Sequence, residues 1–247
     1  MAGRLLTRGM IAGVAAAFLA FLFARIFGEP QVNLAIAFES AKDVAAGEPP
    51  EAELVSRGVQ ASFGLLTSAV MYGAAYGGIF ATVFAFAYGR VGRFSPRALS
   101  ALLAAAALVV FVLVPDLKYP PNPPAVGLPG TINLRTETYF GMILLSLCAA
   151  AASFMTSRPL VRRLGAWNGT LVSIAMFIAL IAAVQSGMPD INEVPTDFPA
   201  TVLWRFREAA LGMQIVLWAT IGLIFGPMAG RILDEQAGRT GSAMEKL

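Results

Sequence analysis

Residues able to hold a metal or move a proton are few in this chain, and their placement is informative. The 247-residue sequence has no histidine and one cysteine, Cys148, which excludes a self-contained imidazole or thiolate site and any internal disulfide. What remains is carboxylate. Glu29, Glu39, Asp43, Asp116, Asp190, Glu193 and Asp197 lie in polar segments between apolar runs. Oxygen ligands there would gather divalent cations weakly and with little preference among them. Glu29, Glu39 and Asp197 are the candidates for cation contact, against the simpler role of solvated loop charges. Arg25, Arg57, Arg135, Arg205 and Arg207, with Glu137, crowd the same boundary. Snorkelling and local ion pairs account for this collar; a gate, or a rim for anionic lipid or a partner, is the alternative. An arginine-rich rim repels a free divalent cation. No intramembrane HxxE, paired aspartates, nucleophile elbow or P-loop is present, so neither an enzyme nor a resident cofactor is expected.

These groups must be positioned by apolar elements. The chain is 57% hydrophobic and 13% charged, against about 45–50% and about 25% in soluble domains. So few charges cannot cover a soluble surface. Uncharged runs occupy residues 9–24, 58–89, 98–115, 138–157, 164–189 and 209–230. A membrane-crossing helix needs about 20 such residues, and none of the runs alternates as a barrel strand would. The expected fold is an all-α, polytopic membrane helix bundle of about six transmembrane helices. The expected spans are 9–28, 58–88, 98–115, 138–157, 167–187 and 207–229, in a single membrane domain over 1–247. Arg4 and Arg8 before an apolar stretch resemble a signal peptide, but no small-x-small cleavage site follows, so a retained first helix is expected.

Charge orients the bundle. The N-terminus, residues 89–97, residues 158–163 and the tail from 231 carry eleven Lys/Arg against three acids, net +8. The other side carries seven against twelve, net −5. The positive-inside rule then places both termini in the cytoplasm of a bacterial inner membrane. Inner positives spread through short loops are topogenic, and nucleic-acid binding is not expected.

The segments 29–57, 116–137 and 188–206 become the outer ones. Pro30 is expected to end the first helix, leaving a short interfacial helix over 32–44. Pro49-Pro50 with Glu51 and Glu53 reads as a fresh helix start. Pro115, Pro120, Pro121, Pro123, Pro124 and Pro129 make the second segment a stiff, extended strap. In the third, Asp197 stands where it can cap the last helix, and Trp204 falls in the aromatic belt. Cys148 and the scattered methionines read as packing residues. Gly9 and Gly13, Gly73 and Gly77, and Gly222, Gly226 and Gly230 recur at four-residue spacing. Such stripes mark close helix contacts, within the chain or with a partner.

The stretches FGEPQVNLAIAFE (27–39), KYPPNPPAVG (118–127) and DFPATVLWRFR (197–207) resemble the signature segments of the CbtA family, the probable cobalt transporter subunit. RLLTRGMIAG (4–13) and LWATIGLIFG (217–226) fit the same pattern, and the likeness runs in order along nearly the whole chain. The resemblance implies a membrane subunit of a cobalt uptake system, with cobalt as substrate. It also implies a small single-span, His-bearing companion of CbtB type. The alternative reading of the residues is a structural or assembly subunit at the edge of a larger respiratory or photosynthetic membrane complex.

Overall fold

The computed structural model describes residues 2–47, 54–124 and 126–244; the expected helix start at Pro49-Pro50 with Glu51 and Glu53 lies outside them. Among the described residues every regular element is helical. Five helices among the described residues are long and apolar enough to cross a membrane: α1 Ala2–Ala46, α2 Arg57–Ala87, α3 Pro96–Lys118, α4 Ile132–Gly187 and α5, whose apolar run is Ala200–Gln236. Many large apolar side chains face outward, among them Ile79, Phe86, Met155, Trp167 and Leu223. Helix surfaces of that kind suit contact with lipid.

Two of these boundaries differ from expectation. Pro30 does not end α1. The helix passes into a π turn over Ala24–Gly28, where the Glu29 N–H reaches back to the Ala24 carbonyl, and it continues as Glu29–Ala46. The wider turn falls where proline has no N–H to give, so the missing bond costs the helix no continuity. Gly47, at φ 75°, then closes the helix with its N–H on Asp43 and Val44 carbonyls.

The second difference is at 158–163, expected to be an inner loop from its charges. It is helical, and α4 changes direction only at Gly165, with φ 80° and ψ 165°. The two limbs, 132–164 and 166–187, fold back on each other. A methyl built on Gly169 would stand 2.5 Å from Val161 Cα, and the Thr156 hydroxyl lies 3.7 Å from Met176 Sδ. In a straight helix, twenty residues would separate that last pair by about 30 Å. The last helix, α5, begins at Ala200, directly after Pro199 and close to the Asp197 position expected to cap it; the Pro199 carbonyl accepts the Val202 and Leu203 N–H groups.

The chain forms two compact units, residues 1–108 with 204–247, and residues 109–203. In the first, α1 and α2 run antiparallel with glycines in direct contact. A methyl on Gly13 would be 2.9 Å from both the Gly73 carbonyl carbon and Gly77 Cα. Helix α5 packs against α3 in the same way: methyls on Gly222 and Gly226 would meet Ala104 Cβ at 2.7 Å and Arg97 Cα at 2.9 Å. The buried Ser100 hydroxyl donates to the Gly222 carbonyl at 2.8 Å. Lipid tails are as apolar as leucine, so helix association here rests on such close van der Waals fit. Phe225 fills the space beyond, edge-on to Phe80 and Phe84 with centroids 5.6 and 5.1 Å away. Arg4 pairs with Glu235 at 2.6 Å, bringing the beginning of α1 beside the end of the α5 apolar run.

Candidate functional site

Each unit ties a polar segment down with an ion pair. In the first unit the fixed point is Glu29, a carboxylate only 8% exposed at the end of the α1 π turn. Arg57, the first residue of α2, places Nη2 on Glu29 Oε2. Its Nε donates to Asn33 Oδ1 at 3.1 Å. Glu29 and Asn33 are four apart and share a helix face, so one guanidinium spans both oxygens. A second π turn, Gln60–Gly64, follows Arg57 within one turn of helix. Both partners therefore sit beside a local change of helix winding, a feature frequent at functional sites.

In the second unit the proline strap between α3 and α4 is clipped to the segment that follows α4. Lys118 pairs with Asp190, and the Tyr119 hydroxyl donates to the Pro189 carbonyl at 2.8 Å. Farther along, Glu193 Oε2 accepts the Leu128 N–H at 2.8 Å and lies 3.4 Å from Arg135 Nε. The Thr131 hydroxyl, the Leu128 N–H and the Arg135 charge hold the Glu193 carboxyl below the ordinary carboxylate range. Gly127 is required here. Its φ is 121°, and a side chain would run into the Arg135 guanidinium, whose Cζ lies 2.7 Å from a built methyl. Below the strap, Gln185 donates to the Val114 carbonyl at 3.0 Å, near the end of α3. Six prolines remove donors from this region, so side chains and loop N–H groups of its neighbours do the fastening.

Other candidates are dispersed. Arg25, Arg57, Arg205 and Arg207 belong to the first unit, whereas Arg135 and Glu137 belong to the second. Arg25, Glu137 and Arg205 are exposed, and so are Glu39 and Asp197. Among the described residues, no three His, Cys, Asp or Glu side chains converge as metal ligands would. Cys148 is exposed, whereas Met142 is completely buried. Gly73 and Gly77 lie against Gly13 and Gly9, and Gly222, Gly226 and Gly230 lie against residues 96–104 of the same unit. Asn33, Lys118, Tyr119 and Thr131 were not singled out from sequence. Only Asn33 carried a usable signal, its four-residue spacing from Glu29.

The architecture therefore offers apolar helices, a carboxylate guarded by an arginine in each unit, and a fastened strap. The family profile described as "Probable cobalt transporter subunit (CbtA)" matches residues 2–230. No curated protein and no solved structure matches the chain. The profile takes in α1 to α4 and most of the apolar run of α5, with Glu29, Arg57 and the whole strap inside it, and the chain belongs to the CbtA family, the probable cobalt transporter subunit.

Proposed function

We propose that this chain is the multi-pass subunit of a bacterial cobalt uptake system. It works with a small single-span, His-bearing companion of CbtB type that supplies the imidazoles. The observation carrying this reading is the family match over residues 2–230. Ligand supply supports the division of labour: a 247-residue chain with no histidine and one cysteine offers a borderline metal mainly oxygen. The chain has six membrane crossings, α4 contributing two limbs, and both termini face the cytoplasm across the inner membrane. Charge partition supports that orientation, and the Arg4–Glu235 pair supports a common side for the two termini. Binding and passage are its role, and catalysis is not.

The competing role, a structural subunit of a larger membrane complex, drew on the Gly222, Gly226 and Gly230 stripe, the stiff outer segments and the lack of charged ligands within the spans. Residues 96–104 of the same chain cover that stripe, so it does not call for an outside partner. Deletion of the gene with measurement of cell cobalt, alongside gentle-detergent co-purification, tests the proposal. Cobalt should fall while large respiratory or photosynthetic complexes stay intact, and a small His-bearing membrane protein should co-purify. Unchanged cobalt, with stoichiometric recovery in a large complex, would replace transport by the structural role.

A further inference from the structure

We infer that Glu29 and Asn33 form a seat for a divalent cation, and that Arg57 is the tethered cation that occupies it until the metal arrives. This rests on the uptake reading for the identity of the ion, and on the geometry alone for the seat.

The seat already holds a positive group. The Arg57 guanidinium lies on the Glu29 carboxylate and on the side-chain carbonyl of Asn33 together. An arginine serving only as a surface anchor would send its charge to water. This one is 28% exposed and turned onto a carboxylate side chain 10% exposed. Glu29 is buried and Arg57 partly so, which makes the carboxylate dependent on a counter-charge, because an uncompensated buried charge is expensive. A divalent ion that takes the carboxylate leaves Arg57 without its counter-charge. The guanidinium then needs a route to water, and its position as the first residue of α2 provides one. The π turns on both sides, Ala24–Gly28 and Gln60–Gly64, give the two helices places to adjust without unwinding.

Chemistry fixes the ligand class. One carboxylate and one amide oxygen suit a dication that keeps most of its water, and they bind it weakly. Weak binding is what a path requires, since an ion must leave the first site to reach the next. Occupation by Arg57 weakens it further, because apparent affinity falls by the fraction of time the seat is open. It also rejects monovalent ions, which displace a doubly hydrogen-bonded guanidinium less well than a dication does.

The test is cobalt titration of the purified full chain in detergent, comparing wild type with Arg57→Gln, Arg57→Lys and the double variant Glu29→Gln/Arg57→Gln. If the seat is open about a tenth of the time, Arg57→Gln should raise cobalt affinity about tenfold. Arg57→Lys retains a tethered charge and should remain near wild type. The double variant should lose the gain. Equal binding by wild type and a folded Arg57→Gln would overturn the seat, as would a gain that survives Glu29→Gln. Should Arg57→Gln fail to fold, wild type alone decides. Labelling of Arg57 by phenylglyoxal, followed by mass spectrometry, should rise with added cobalt and not with added potassium. A cobalt-independent rate would overturn the inference. Whether deletion changes cell cobalt is a separate result: a seat that binds as expected in a protein whose loss leaves cobalt unchanged would stand without the uptake reading.

Discussion

Gly13 of α1 and Gly73 of α2 meet main chain to main chain: a methyl built on Gly73 would stand 2.6 Å from the Gly13 carbonyl oxygen. Gly9 and Gly77 repeat the contact one turn away, so two four-residue spacings interlock in antiparallel sense. At Gly13 no side chain can yield, because what a methyl there would meet is the backbone of Gly73 and Gly77. Gly13→Ala should therefore cost about 1–3 kcal/mol, in the range of an overpacked core, and Gly13→Leu should prevent assembly of the first unit. Thermal unfolding in mild detergent measures both. Stability of Gly13→Leu equal to wild type would refute the close approach.

The α3–α5 contact makes a graded prediction. Gly226 faces Arg97 Cα and Ser100 Cβ, whereas Leu223 on the same helix is 70% exposed. Gly226→Leu should disrupt packing, and Leu223→Ala should change stability by less than about 0.5 kcal/mol. Ser100→Ala should cost about 0.6 kcal/mol, the mean worth of an interhelical hydrogen bond in a membrane protein. Similar melting curves for Gly226→Leu and Leu223→Ala would remove the argument.

How far the residues disclosed all this depended on the range of the interaction. Glycines four apart announce a contact because helical periodicity puts them on one face, and the apolar runs announce helices by length. Glu29 and Arg57 are 28 residues apart on different helices, and nothing local in either stretch names the other. Likewise Glu193 could be picked out as a carboxylate in a polar segment, but not as the acceptor of a strap N–H 65 residues earlier. Pro30 misled for a different reason. The rule that proline ends a helix assumes the α hydrogen-bond ladder, and a π turn provides another way through. The 158–163 stretch misled because three arginines within six residues interrupt the apolar runs, while the turn itself needs only Gly165 in a conformation closed to other residues.

Strap fastening should depend on acidity. The folded Glu193 carboxyl titrates below its ordinary value of 4.5. Its contribution is therefore complete above that value and is lost as pH falls through the lower, folded one. Protection of the Leu128 N–H from hydrogen exchange, taken relative to the intrinsic rate at each pH, should hold at neutral pH and be lost only in acid below the ordinary carboxylate range, and protease cutting near 128 should accelerate there. Glu193→Gln should be faster at neutral pH and should lack the acid step. An acid step that persists in Glu193→Gln would assign the titration to another group.

Orientation has a direct test that uses the observed turn at Gly165. A reporter active only in the cytoplasm should work when fused after residue 93, 165 or 247, and fail after 45, 125 or 193. The basic segments account for this choice of side, since Lys and Arg near helix ends are retained in the cytoplasm. Activity at 125 would invert the bundle, and activity at both 93 and 125 would end the α3 span.

The last prediction concerns the metal itself. The isolated wild-type chain should bind cobalt weakly, with little preference over other divalent ions and with strong dependence on salt. The cause is ligand chemistry: carboxylates and amides are available, imidazole is absent, and the one thiol is exposed on its helix. Among the described residues no three metal-binding side chains converge, so even the oxygen ligands cannot chelate without movement. Added salt should weaken what binding there is, since exposed carboxylates attract cations through a screened field. Reconstitution with a His-bearing membrane companion should tighten binding by several orders of magnitude and restrict it to metals that favour nitrogen. Isothermal titration of the chain alone and of the pair distinguishes the cases. Micromolar or tighter binding by the chain alone, abolished by Glu29→Ala or Glu39→Ala, would make it a self-sufficient importer and leave the companion without a role in the site.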